Sequence, residues 1–207
     1  MKLYGTAKSR SFRCVWAAEE AGLDIEYVPV ALGSTEANGS LTADYRKIHF
    51  QGKVPALTDG KIILTESAAI VNYLAKQSAD QTLIPDDLSP ERARYDELCF
   101  FVLSDLEQPL WTNGKHRFAI PKEHRVAEVL PTTLWEFNKS QKALINLIGE
   151  KPEYAIGTQF TMADILIAHT LNWAESFKFD ILPSLTDYKN RHYSRHACLA
   201  ALKKIGL

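Results

Sequence analysis

Apolar and polar positions follow different rhythms in the two halves of the chain. Lys2-Leu3-Tyr4 is a short strand candidate. From Ser11 to Ala21, Phe12, Val15, Trp16 and Ala18 recur at helical spacing, and Gly22 supplies a C-terminal stop. Ile25 to Val30 returns to the alternation of a strand. The polar stretch from Gly33 to Lys47 has no strand pattern and reads as loop and short helix. Two apolar runs, Val54 to Thr58 and Lys61 to Thr65, flank Asp59-Gly60, which predicts a two-residue hairpin turn because Gly accepts the positive φ required there. Ser67 to Lys76 follows as a helix with Ile70, Leu74 and Ala75 on one side. The order β-α-β, β-hairpin, α describes a four-stranded mixed sheet.

Breakers accumulate next, including Pro85-Asp86-Asp87, and mark residues 79–90 as a linker. Ser89-Pro90 opens a helix, with Ser as N-cap and Pro at the first helical position. Everything beyond reads helical: Glu91–Trp111, Lys122–Ile148 with a kink or break at Pro131, Met162–Ser176 and Ala197–Ile205. The expected fold class is therefore α/β plus all-α. Residues 1–78 form a sheet domain and residues 91–207 a helical one.

Composition narrows this little. The 207 residues are 46% hydrophobic and 24% charged, as in ordinary globular proteins, with a formal net charge of −1. That balance gives no electrostatic reason to expect nucleic acid or an anionic membrane as partner. No stretch reads as a signal peptide or a membrane span, so a cytoplasmic location is expected. Cys14, Cys99 and Cys198 are too scattered for a metal pair or a disulfide framework and read as buried thiols in a reducing compartment.

Three places have chemical potential. The turn Gly5-Thr6-Ala7-Lys8-Ser9-Arg10-Ser11 leads into a helix N-terminus, a natural anion site. No Cys-x-x-Cys pair is present there, but a hydroxyl can donate to a bound thiolate; Ser9 and Ser11 are equally serviceable as helix caps. Gln51-Gly52-Lys53-Val54-Pro55 precedes the hairpin. A cis bond at Pro55 would turn the Val54 backbone outward to pair with an extended peptide, and Lys53 suits a carboxylate. At Glu66-Ser67, Ser67 is placed as N-cap of the next helix, its N–H groups can hold a carboxylate, and Glu66 can receive an ammonium. A peptide with ammonium and carboxylate at one end, a central thiol and a second carboxylate matches the three. Glutathione is that peptide.

Together these motifs resemble the cytosolic glutathione transferase family over nearly the whole chain. The resemblance rests on Lys2-Leu3-Tyr4-Gly5, Ser9, Arg13 and Trp16 to Leu23, on Gly52 to Leu57 with Asp59-Gly60, and on Glu66 to Ile70. It extends to Gly157, Phe160 and the capping-box spacing of Thr161 and Asp164. It implies a thioredoxin-like N-terminal domain, an all-helical C-terminal domain, a homodimer and glutathione as co-substrate, with no metal.

Carried over residue by residue, Ser9, with Ser11 as alternative, stabilises the thiolate. Val54 pairs with the cysteinyl unit before Pro55, Lys53 lies near the glycyl carboxylate, and Glu66 and Ser67 hold the γ-glutamyl end. Gln51 and Asp105 are further glutathione contacts, Asp105 from across the dimer with Ser104. Trp111 and Phe118, with Trp173 and Phe177, are candidates for the wall of a site for a small hydrophobic electrophile. Ser9 four residues before Arg13 is the theta-like or bacterial arrangement. His49-Phe50 stands where the family often has Asn-Pro, and Cys14 lies inside the first helix, which favours conjugation over deglutathionylation. A glutathione-dependent isomerase or dehalogenase, or a non-enzymatic glutathione-binding module, are the alternatives on the same site.

Overall fold

Leu3, Ala56 and Leu57 are wholly enclosed, and the strands that carry them are the two central ones of a four-stranded sheet. A computed structural model describes residues 1–207, which divide into two units: Met1–Ile84 with Tyr193–Leu207, and Pro85–His192. In the first unit, β1 (Lys2–Gly5) pairs in parallel with β2 (Glu26–Pro29) through the crossover helix α1 (Ser11–Glu20). After a short helix α2 (Ala43–Ile48), β3 (Ala56–Asp59) pairs antiparallel with β1 and with β4 (Ile62–Thr65), giving the order β2-β1-β3-β4. Helix α3 (Ser67–Gln77) then returns to pack on α1. The sheet and helix order is the thioredoxin-like one that the sequence resemblance implies.

The hairpin is shifted by one residue from the expected turn. Asp59 pairs with Ile62, so the two loop residues are Gly60 and Lys61, not Asp59 and Gly60. Glycine at the first central position, with φ of 58°, is what a primed hairpin turn requires there. A second shift occurs at α3: Glu66 is the N-cap residue, and Ser67 is the first residue of the helix.

Helix α1 is buried on more sides than its periodicity implies, with every side chain from Ser11 to Ala18 enclosed. The reason is the last helix, α9 (His196–Lys204), which packs against α1. Arg195 donates from Nε and Nη2 to the two carboxylate oxygens of Glu20, at 2.6 and 2.8 Å, while Trp16 Nε1 donates to the same carboxylate at 3.0 Å. Lys204 pairs with Glu19 at 3.0 Å. Residues 193–207 thus join the first unit, although their helical pattern groups them with the second.

In the second unit, Ser89 caps α4 (Pro90–Phe101) by accepting from the Arg92 N–H, as the Ser-Pro signal predicts. The helix continues further than Trp111, through a π turn at Val102–Leu106, α5 (Gln108–Gly114) and a second π turn at Lys115–Ala119. Pro109 explains the first irregularity. It has no N–H to give the Asp105 carbonyl four residues back, and Ser140 Oγ supplies that carbonyl with a donor at 2.9 Å.

The expected helix from Lys122 begins only at α6 (Leu130–Ile148), after two single 3-10 turns. Pro131 therefore starts the helix, where its missing N–H is harmless, and does not kink it. Helix α7 (Met162–Ser176) forms the core of the unit, enclosed from Met162 to Leu171, with the Thr161–Asp164 capping box formed. Helix α8 (Pro183–Tyr193) is an element the periodicity did not reveal, because only Leu185, Tyr188, Lys189 and His192 of its largely polar residues turn inward. No helix is long and apolar enough to cross a membrane.

Candidate functional site

Strand register brings the three candidate segments to one end of the sheet. Ala56 pairs with Tyr4 on one side and Thr65 on the other. The residues just after Tyr4, just before Ala56 and just after Thr65 therefore emerge together. These are the Gly5–Ser9 turn, Val54-Pro55 and Glu66-Ser67.

The turn after β1 is tied by a chain of hydroxyls. Ser9 Oγ donates to the Thr6 carbonyl at 2.6 Å and accepts the Ser11 N–H at 3.1 Å. Ser11 Oγ accepts the Thr6 N–H at 3.2 Å and lies 2.9 Å from Ser9 Oγ. Gly5 is required by this packing, since a Cβ on it would stand 2.5 Å from the Ser11 Cβ. The two serines differ in burial: Ser11 is fully enclosed, whereas Ser9 is half-buried. Of the two, only Ser9 keeps exposed surface.

Helix α1 carries no reactive thiol. Burial pushes the Cys14 thiol up to about 12, opposed only by the nearby Arg13 charge, and Cys99 and Cys198 are likewise raised to about 12 by burial. Cys14 Sγ points to the Ser67 carbonyl at 3.6 Å, and enclosed Arg13 donates from Nη1 to Ser67 Oγ at 3.4 Å. The Ser67 hydroxyl thus serves Arg13 and does not cap α3, so the N-cap expectation for Ser67 gives way to Glu66. Glu66 is exposed, makes no side-chain cap bond, and holds φ 66° and ψ 112°, a strained conformation for a residue with a Cβ.

Before β3, the Val54-Pro55 peptide is cis, Pro55 is buried, Val54 is half-buried, and Gln51 and Lys53 are exposed. Val54 lies outside the ladder, which starts at Ala56. The loop is fixed from below by contacts that carry no motif signal. Tyr45 Oη donates to the Lys53 carbonyl at 2.7 Å, and Gly52, at φ 63°, passes so close to Ser40 that a Cβ would stand 2.6 Å from its carbonyl oxygen. His49 ends α2 and is 4% exposed.

The remaining candidates belong to the second unit. Asp105 is exposed in the first π turn and accepts from Ser104 Oγ at 2.5 Å. Phe118 and Trp173 each meet Phe177 edge to face, at 5.8 and 5.6 Å, with the Arg117 guanidinium 5.8 Å above Phe177. Trp111 is half-buried on α5.

Two family models match, glutathione S-transferase N-terminal domain over residues 1–76 and glutathione S-transferase C-terminal domain over residues 108–196. A curated relative, glutathione S-transferase Z1 of Arabidopsis thaliana, is 31% identical over 178 residues, covering 84% of this chain and 77% of its own. Maleylacetoacetate isomerase of Mus musculus is 26% identical, covering 82% and 77%. Among solved structures, the ternary complex of BphK, a bacterial transferase, is 29% identical and matches at a TM-score of 0.87 over the whole of both chains. A sphingomonad glutathione S-transferase complexed with glutathione, also 29% identical over the whole of both chains, matches at 0.85.

Proposed function

The chain belongs to the glutathione S-transferase family, and from that premise we propose that Ser9 holds glutathione as its reactive thiolate for attack on a small apolar electrophile. The observation that carries this reading is the placement of the half-buried Ser9 at the sheet end where Val54-Pro55 and Glu66-Ser67 also emerge. Glutathione lies extended along that end. Val54 offers its backbone to the cysteinyl unit ahead of Pro55, Lys53 faces the glycyl carboxylate, with Gln51 beside it, and Glu66 and Ser67 hold the γ-glutamyl group.

The magnitude is modest and sufficient. A hydroxyl bond to a charged group contributes about 1.5–3 kcal/mol, and turning Ser9 away from the Thr6 carbonyl gives up about 1 kcal/mol. The net of about 0.5–2 kcal/mol lowers a thiol pKa by about 0.4–1.5 units. The N-terminus of α1 adds to this, and the combination brings a thiol of ordinary pKa about 8.5 toward neutrality. Cys14 takes no part, being enclosed and protonated. Asp105 of a second copy would approach the γ-glutamyl ammonium in a homodimer, and Trp111 and Phe118 would line the electrophile's apolar wall. A cytoplasmic location belongs to the same reading.

A panel of electrophiles assayed with glutathione, wild type beside Ser9→Ala, tests it: turnover should fall at least several-fold with little change in glutathione affinity. Unchanged turnover assigns the thiol contact elsewhere. The isomerase relatives favour a second reading in which the same thiolate adds reversibly and leaves unchanged. Glutathione recovered intact after substrate turnover would select it.

A further inference from the structure

Phe118 is 58% exposed, yet the turn that presents it is firmly fixed. It belongs to the π turn Lys115–Ala119, whose last carbonyls have no following helix to bond them. Arg125 supplies the donors: Nε to the Ile120 carbonyl at 2.8 Å, Nη1 to that of Arg117 at 3.1 Å and Nη2 to that of Phe118 at 2.9 Å. The Val126 N–H adds a bond to His116 Nδ1 at 3.0 Å. A large apolar side chain is thus held in water by a tied backbone. An exposed aromatic on a stiff turn is surface that a ligand can cover at small entropic cost.

The surface continues onto the end of α7. Phe177 meets Phe118 edge to face at 5.8 Å and Trp173 at 5.6 Å. Gly114 lets α5 lie against this ring, since a Cβ there would stand 3.2 Å from Phe177 Cε2. The Arg117 guanidinium, 5.8 Å above the same ring, is held by its face rather than by a carboxylate. A guanidinium held in this way keeps its fork of N–H donors for an acceptor from outside. In the segments 115–119 and 173–178 the charged side chains are Lys115, Arg117, Lys178 and Glu175. Glu175 is already paired with Lys189, at 2.6 Å, so the local field favours an anion.

We propose that the electrophile is an aryl carboxylate, its ring set against Phe118 and its carboxylate against Arg117, which makes Arg117 the residue that selects substrates by charge. This rests on the reading above that places Phe118 in the wall of the electrophile site, and it narrows the small apolar electrophile to an anionic aromatic one. Phe118 and Arg117 meet one ring, Phe177, at the same 5.8 Å, so one small molecule can engage both. Carboxylate suits the site because it and the guanidinium are both planar forks that pair through two parallel bonds. The carboxylate is remote from the reacting carbon, so the contact holds ground state and transition state alike and its loss appears in KM.

Two probes with one reacting centre test this, 4-chloro-3,5-dinitrobenzoate and its uncharged methyl ester. In both, the glutathione sulfur forms a bond to the ring carbon, and chloride leaves with the carbon–chlorine electron pair. The ester is intrinsically the more reactive, so each variant is compared with wild type on the same probe. Arg117→Gln should raise KM for the benzoate about tenfold, as loss of a charge-assisted bond at an exposed site predicts, with kcat unchanged and the ester's constants within about twofold. Arg117→Lys, which keeps the charge without the fork, should recover part of that loss. Phe118→Ala should raise KM for both probes alike. An unchanged benzoate KM in Arg117→Gln, or equal losses on benzoate and ester, overturns the proposal and leaves the Ser9 reading standing. Failure of wild type to turn over either probe with glutathione overturns the proposal together with the transferase reading beneath it.

Discussion

Glu66 should be a residue whose removal stabilises the protein and weakens its function. With φ 66° and ψ 112° at the start of α3, it occupies backbone space that a Cβ disfavours, at a cost of about 1–3 kcal/mol. Its side chain gives nothing back in the free protein, since it is exposed and forms no cap bond. Glycine relieves the strain but gains about 0.4–1 kcal/mol more chain entropy on unfolding, so Glu66→Gly should stabilise by about 1 kcal/mol net. For a chain of this length that is a rise of about 2–4 °C in Tm. Glu66→Gln keeps the strained backbone and removes only the charge, so its Tm should match wild type. Both variants should raise KM for glutathione, because both lose the carboxylate that receives the γ-glutamyl ammonium. Differential scanning calorimetry of the three proteins, paired with glutathione saturation curves, decides the matter. A Glu66→Gly protein that melts at or below wild type, or a Glu66→Gln protein with unchanged KM, refutes the reasoning.

Other outcomes follow from the same geometry. Gly52→Ala forces a Cβ to 2.6 Å from the Ser40 carbonyl at a positive φ, and should destabilise by about 2–3 kcal/mol in denaturant titration while impairing glutathione binding. Asp164 accepts the Thr161 and Ala155 N–H groups at 2.8 Å and the Tyr188 hydroxyl in full burial, so Asp164→Ala should cost about 3–5 kcal/mol, read as lost soluble yield or a collapsed Tm. Because all three thiols are enclosed and held near 12, iodoacetamide at pH 8 should modify none of them in the native protein and leave turnover intact; rapid alkylation of Cys14 would contradict its placement.

Local chemistry made elements of both units legible. The alternation around Asp59-Gly60, the apolar spacing of α1 and the capping-box pattern at Thr161 each specify a local conformation, and the structure has β3–β4, α1 and α7 there. What local pattern could not supply was the choice between near-equivalent neighbours. Ser67 looks like an N-cap until Arg13, 54 residues earlier, takes its hydroxyl. Ser9 is preferred over Ser11 in sequence only through its place four residues before Arg13; burial separates the two physically, and it depends on how closely Gly5 lets α1 approach β1. Helix α8 escaped because its inward positions include Lys189 and His192, which a hydrophobic count treats as solvent-facing. The first π turn follows from Pro109 and from packing on Ser140, a contact with no local signature. Tyr45 beneath Lys53 is of the same kind: an ordinary tyrosine on a short helix, given its role by a hydrogen bond across the loop.

The central claim is that Ser9 supports the thiolate, and its most direct test is ultraviolet titration of glutathione bound to wild type and to Ser9→Ala. The account predicts a bound-thiol pKa well below the free value in wild type, and an upward shift of about 0.5–1.5 units in Ser9→Ala, with Ser11→Ala showing no comparable shift. Identical titration curves for wild type and Ser9→Ala would contradict it.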